Sequence, residues 1–222
     1  MNSDLYQYLS TFLSEGKKEH FEDALKWRTR HVPLVLDDIY NPQNISAILR
    51  TADCFGIQDV HIIENDHEFS VSKRVVKGAN KWLSVYQYRD YSDNTGPCLD
   101  MLKDKGYKIA ASSIHTDAIS PEDLPLNEPI AVVLGAEKNG VSEIALSKAD
   151  YHLKIPMYGF TESFNVSVAC ALILQKIRER LNESSDINWQ LPSAEADKLR
   201  IEWAKKCLRN PQEIIRQYHA GS

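Results

Sequence analysis

Between residues 32 and 156 the chain alternates short apolar runs with longer amphipathic segments, and few architectures accommodate that alternation. The runs are Val32–Leu36 (VPLVL), Val60–Ile63 (VHII), Trp82–Tyr86 (WLSVY), Tyr107–Ser112 (YKIAAS), Ile130–Gly135 (IAVVLG) and His152–Pro156 (HLKIP). The intervening segments predict helices over Asn44–Phe55, Val71–Ala79, Pro97–Lys105 and Ser142–Lys148; the first places Ile45, Ile48, Leu49, Ala52 and Phe55 on one face. Strands alternating with helices predict an α/β fold, a parallel sheet with helices on both sides. A last core helix is expected over Asn165–Asn182, where Val166, Ala169, Cys170, Ile173, Ile177 and Leu181 recur at helical spacing.

The flanks read differently. The first thirty or so residues are a helical extension with apolar Leu5, Tyr8, Leu9, Phe12, Phe21, Leu25 and Trp27. After the polar break NESSDINWQLP a final helix is expected from Ser193, which follows Pro192 as an N-cap and is succeeded by Leu199, Trp203 and Cys207 on one face. The expected organisation is therefore a helical extension over 1–31, a main domain over 32–182 and a second helical extension over 183–222. No stretch approaches the roughly 18 apolar residues of a membrane span. The N-terminus also lacks the layout of a signal peptide, so the expected location is the cytoplasm.

A net charge of −5 excludes indiscriminate binding to nucleic acid, but the charge is unevenly placed. Val71 to Arg89 holds five basic residues (Lys73, Arg74, Lys77, Lys81, Arg89), no acidic one, and interleaved Trp82, Tyr86 and Tyr88. Lys198 to Arg216 holds six basic residues against two acidic, and Lys26, Arg28, Arg30 and His31 precede the first strand. Basic segments with aromatics suit phosphate contact and base stacking, and equally suit solvated helix faces. The four cysteines (Cys54, Cys98, Cys170, Cys207) form no CxxC pair, so no metal site is expected, and Cys54 and Cys170 read as buried thiols.

Loops that leave the carboxyl ends of strands are where a doubly wound sheet binds ligand, and three of these loops carry unusual chemistry. In NPQNISAILRTADCFG (Asn41 to Gly56), Pro42 ends the strand, Asn44 fits an N-cap and Arg50 follows six residues later on an apolar segment. In LGAEKNGVS (Leu134 to Ser142), Gly135 and Gly140 have the spacing of a phosphate loop, but Val141 stands where that loop needs lysine. Glu137 in so tight a loop suits holding backbone amides. In IPMYGFTESFNVSVACALIL (Ile155 to Leu174), Ser163 and Asn165 read as competing helix caps after more polar irregular chain than a turn requires.

Together the three motifs, N-x-x-x-x-x-R, G-x-E-x-x-G-x-S and IPM-x-G-x-x-x-S-x-N-V-S-V-A, resemble the SpoU (TrmH) branch of the SPOUT RNA 2′-O-ribose methyltransferases over about Val32 to Leu181. Val141 and Phe164 stand where leucine is usual in that family. The terminal helices, GANKW (Gly78 to Trp82) and LPSAE are similar to those of members that methylate guanosine 18 of tRNA. The resemblance implies a Rossmann-like sheet with a C-terminal deep trefoil knot and a homodimer. S-adenosylmethionine would be held by Leu134, Gly135, Glu137, Ile155, Met157, Ser163, Phe164 and Asn165. Arg50, Asn44, Glu137, Ser163 and Asn165 would form the catalytic set, and Arg28, Arg30, Lys73, Arg74, Lys77, Lys81, Lys205, Lys206 and Arg209 the RNA-binding set. Rival readings are a sister enzyme acting on another tRNA nucleotide or on rRNA, a non-catalytic RNA-binding scaffold, and an unrelated nucleotide-binding α/β protein.

Overall fold

Each apolar run becomes a strand of one sheet. The computed structural model describes residues 2–113, 118–136 and 139–220. The strands are β1 (Leu34–Asp37), β2 (Asp59–Ile63), β3 (Ser84–Tyr88), β4 (Lys108–Ser112), β5 (Ile130–Gly135) and β6 (Tyr151–Leu153), in the order β3-β2-β1-β5-β4-β6. Every adjacent pair is parallel. β1, β2 and β5 are buried along their whole length, which is why their sequences are continuous apolar runs and not alternating ones.

The helices are α1 (Asn2–Ser10), α2 (Glu15–Leu25), α3 (Pro42–Cys54), α4 (Lys73–Val76), α5 (Thr95–Asp104), α6 (Glu143–Lys148), α7 (Val166–Glu183), α8 (Ser193–Cys207) and α9 (Pro211–Ala220). Among the described residues no helix is long and apolar enough to cross a membrane. One face of the sheet, with Leu34, Leu36 and Val132, packs in a core with Ile45, Ile48 and Leu49 of α3 and Cys170, Ile173 and Ile177 of α7. The other face, with Val35 and Val133, packs with Leu99 and Leu102 of α5 and Ala145 of α6. Burying each Leu or Ile of these faces stabilises the fold by about 2 kcal/mol relative to exposure.

Several local expectations are corrected. Asn41, not Asn44, caps α3: its side chain accepts from the Gln43 amide at 2.9 Å, and Pro42 takes the first helical position, where a missing N–H costs nothing. The helix expected over Val71–Ala79 is only one turn long, because Lys77 and Gly78 both adopt left-handed backbone (φ 45° and 82°) and a short 3-10 turn, Ala79–Lys81, follows. Ser193 lies inside α8, with the extended Pro192 at its boundary. Cys54 is exposed, whereas Cys170 is buried.

The chain divides into two compact units, Thr29–Trp189 around the sheet, and a helical unit of residues up to Arg28 with those from Gln190 on. The two extensions thus fold on one another. In that unit Phe21 meets Trp203 edge to face with ring centroids 5.5 Å apart, and Arg200 forks onto the Glu22 carboxylate at 2.8 and 2.6 Å.

Candidate active site

The order of the sheet selects one place. From β1 the chain runs outward through β2 to β3, while β5, β4 and β6 lie on the other side, so the direction reverses between β1 and β5. Ligands of open α/β sheets bind in the crevice at such a reversal. The Asn44–Arg50 motif leaves β1 and the glycine loop leaves β5, with Asp37 and Gly135 paired in register at the two strand ends.

Asp37 ties these ends together, a role not anticipated from the sequence. Its buried carboxylate accepts from the Ser142 amide at 2.8 Å and from the Thr95 hydroxyl at 3.1 Å. The loop after β5 closes on itself: Gly140 donates to the Ala136 carbonyl at 2.8 Å, and a Cβ on Gly135 would lie 2.1 Å from the Gly140 carbonyl carbon and oxygen. Only glycine fits there. Ser142 then caps α6 by accepting from the Ala145 amide at 3.3 Å. Glu137 lies outside the described residues.

The third motif leaves β6 at the sheet edge, yet α7 packs back on α3 and β5 near the centre. Its cap, Asn165, accepts from the Ser167 amide at 2.9 Å, and its Nδ2 donates to Asn44 Oδ1 at 3.1 Å. Asn44 is nearly buried in the first turn of α3. Two motifs that are 121 positions apart are therefore joined by one side-chain bond. Arg50 is exposed on the same helix and makes no hydrogen bond or ion pair among the described residues.

Residues 156–164 form an exposed, irregular segment whose backbone groups bond to nothing else among the described residues. Ile155 and Met157 are half-buried, and Ser163, Phe164 and Asn165 are exposed. The same region displays apolar surface: Tyr158 is 97% exposed, Phe160 is fully exposed, and Phe164, Val168 and Leu172 form a stripe at four-residue spacing running into α7. Contiguous exposed apolar side chains of this kind mark an interaction surface.

A sequence model of the SpoU rRNA Methylase family matches residues 31–175. The chain belongs to that family. A tRNA (guanosine(18)-2′-O)-methyltransferase of Borreliella burgdorferi is 37% identical over 206 residues, which cover 93% of this chain and 92% of the relative. An enzyme of the same name from Thermus thermophilus is 32% identical over 194 residues, covering 87% of this chain and 98% of the relative. Among solved structures, the TrmH/SpoU tRNA modifying enzyme of Aquifex aeolicus superposes with a TM-score of 0.78 at 26% identity, covering 88% of this chain and 98% of that one.

Within this SpoU chain the candidate RNA contacts divide. Lys73, Arg74, Lys77 and Lys81 are exposed within one short stretch, and Lys206 and Arg209 are exposed in the helical unit, with Lys205 half-buried. Arg28 and Arg30 are already engaged within the protein. Arg28 is buried with its guanidinium 5.4 Å from the Trp203 ring centroid, and Arg30 pairs with the buried Asp59. Arg28 is the more enclosed of the two, and Arg30 is half-buried. The sequence showed them only as members of a basic cluster, which carries no signal of burial.

Proposed function

We propose that the chain transfers the methyl group of S-adenosylmethionine to a ribose 2′-hydroxyl of RNA, with guanosine 18 of tRNA as the target. The observation that carries this reading is the Asn165–Asn44 bond, which joins two of the family's motifs beside an exposed Arg50. The names of relatives at 37% and 32% identity over nearly the whole chain support the target.

The chain fits the cofactor. The glycine loop closes too tightly for any side chain at Gly135, and the backbone groups of residues 156–164 bond to nothing else among the described residues; such groups read an adenine ring without charged side chains. Leu134, Gly135, Ile155, Met157, Ser163, Phe164 and Asn165 would hold it, with Glu137 at the same loop. When bound, the cofactor supplies an electrophilic methyl group on a sulfonium sulfur. The 2′-oxygen would take that methyl group, S-adenosylhomocysteine would leave as the neutral thioether, and the hydroxyl proton would pass to the adjacent phosphate or to water. A guanidinium does not give up its proton in proteins. Arg50 therefore acts as an electrostatic clamp on the developing alkoxide and the adjacent phosphate, and Asn44 fixes the helix turn that carries it.

The same reading makes the protein a cytoplasmic homodimer with the last core helix threaded through a trefoil knot. The exposed stripe of Phe164, Val168 and Leu172, with Tyr158 and Phe160, supports the dimer. The return of α7 from the edge strand β6 to the central α3 and β5 supports the threading. Lys73, Arg74, Lys77 and Lys81 supply phosphate contacts, with Lys205, Lys206 and Arg209 in the helical unit. The test is a comparison of thermal stabilisation by S-adenosylmethionine and ATP, followed by methyl-labelled transfer to an unmodified tRNA transcript. Stabilisation by the first alone, with label entering the tRNA, supports the reading; stabilisation by ATP alone overturns it.

A further inference from the structure

Outside the three motifs, the carboxyl ends of β2 and β3 border a half-open cleft of about 370 Å³, lined by residues 64–69 with Gln87 and Arg89. Its size is that of a small-ligand site, roughly 300–1,000 Å³. It lies at the same end of the sheet as the candidate active site, on the other side of β1 from the glycine loop. Its wall is well anchored. Asp38, in left-handed backbone (φ 52°), accepts the amides of Asn65, Asp66 and His67 at 2.9, 3.0 and 3.1 Å on one carboxylate oxygen and meets the His67 ring at 2.8 Å on the other. Burial raises the Asp38 carboxyl, but these bonds outweigh it and hold the group below its ordinary range. Just after this loop the chain is tied to α3, since the Ser72 amide donates to Ser46 Oγ at 2.8 Å.

Glu64 holds the unexplained group. One carboxylate oxygen accepts from the Phe69 amide at 2.8 Å; the other, Oε1, is buried with no hydrogen-bond partner among the described residues. A buried acceptor without a donor is costly, and native folds rarely keep one without a use. Arg89 lines the same cavity, is exposed, and makes no ion pair among the described residues.

We propose that this cavity receives the base of the target nucleotide and that Glu64 selects guanine. The proposal rests on the reading of the chain as a guanosine methyltransferase. A carboxylate only accepts, and guanine presents two adjacent donors, N1–H and the N2 amino group, where adenine presents a ring acceptor. Glu64, Asp66 and Glu68 repel a phosphate, so the cavity suits a base and not the backbone. Arg89 carries the donor fork that matches guanine O6 and N7, and the exposed His67, beside Tyr40 with ring centroids 5.6 Å apart, offers a ring for stacking, the usual device for an unpaired base. Because Oε1 is closed to water, entry of the base requires the exposed turn at residues 66–68 to move.

The test uses three tRNA transcripts that differ only in guanosine, inosine or adenosine at position 18, and the wild type against Glu64→Gln. The Gln carbonyl can keep the Phe69 amide while its NH2 faces the base, so the loop is retained; a thermal melt checks this. The wild type should methylate guanosine over inosine, which lacks the N2 amino group, by about tenfold, and adenosine less well still. Glu64→Gln should bring the guanosine-to-inosine ratio to within about twofold without altering the Kd for S-adenosylmethionine. A wild type that treats guanosine and inosine alike overturns the proposal without any variant. So does a Glu64→Gln enzyme that slows on all three transcripts while keeping the ratio, the mark of a structural role. A wild type that methylates none of the three at position 18 overturns the reading of the substrate itself.

Discussion

Asn165 donates its side-chain amide to Asn44 Oδ1 at 3.1 Å while its own carbonyl oxygen caps α7 through Ser167. One residue thus starts the last core helix and fixes the first turn of the helix that carries Arg50. Asn165→Ala should lose both roles, lowering stability by about 1 kcal/mol through the lost cap and lowering turnover. Asn165→Ser keeps a capping oxygen but not the reach to Asn44. Thermal melts and initial rates should show Asn165→Ser near wild type in stability and close to Asn165→Ala in activity.

Arg50 is exposed and bonded to nothing among the described residues, so its removal touches no packing. Arg50→Ala should change stability by less than about 0.5 kcal/mol. Turnover should nearly vanish while cofactor affinity in calorimetry stays the same. Arg50→Lys should fail as well, since an ammonium lacks the planar fork. Equal loss of turnover and cofactor affinity would assign Arg50 a structural role.

Gly135→Ala places a methyl group 2.1 Å from the Gly140 carbonyl, a backbone contact that no rotamer relieves. The cost should be about 3 kcal/mol or more, expressed as a displaced β5 loop. Calorimetry should find S-adenosylmethionine binding lost even where circular dichroism shows the fold retained.

His61 lies buried on β2, stacked on Tyr86 with ring centroids 4.9 Å apart and 2.8 Å from the Tyr88 hydroxyl. Burial, with the Lys105 and Arg30 charges, pushes its pKa down to about 4. The folded state therefore keeps the ring neutral where the unfolded chain, near pH 6.5, takes up a proton. This contribution is complete above pH 6.5 and is lost as the pH falls toward 4. Urea unfolding across that window should show an acid loss of about 3 kcal/mol in the wild type that His61→Gln largely removes.

Val168 and Leu172 project from α7 with Phe164 as an exposed apolar stripe. Val168→Glu together with Leu172→Glu places two charges on that surface. Sedimentation should find a dimeric wild type and a monomeric, inactive double variant. A fully active monomeric wild type would remove the dimer from the mechanism.

Most of the sheet was legible because β1, β2 and β5 are buried on both faces and so leave uninterrupted apolar runs. Asn165 and Arg50 stood out as candidate site residues only through the family resemblance of the three motifs together, since each alone reads as a helix cap or a surface arginine. Asp37, Asp38 and Glu64 did not, since a single acidic residue at the end of a strand looks like ordinary solvent-facing punctuation until its partners are known. Ser142 and Thr95 stand 105 and 58 positions from Asp37. The burial of Arg28 depends on Trp203, a contact between opposite ends of the chain that no local pattern records.

The most direct test is to map the methyl group. Unmodified tRNA transcript is incubated with the protein and methyl-labelled S-adenosylmethionine, digested, and the modified nucleotide identified by mass spectrometry. A single 2′-O-methylguanosine at position 18, absent with Arg50→Ala, is the expected result. A methyl group on a base, or on the ribose of another nucleotide, would contradict the proposed reaction or the proposed target respectively.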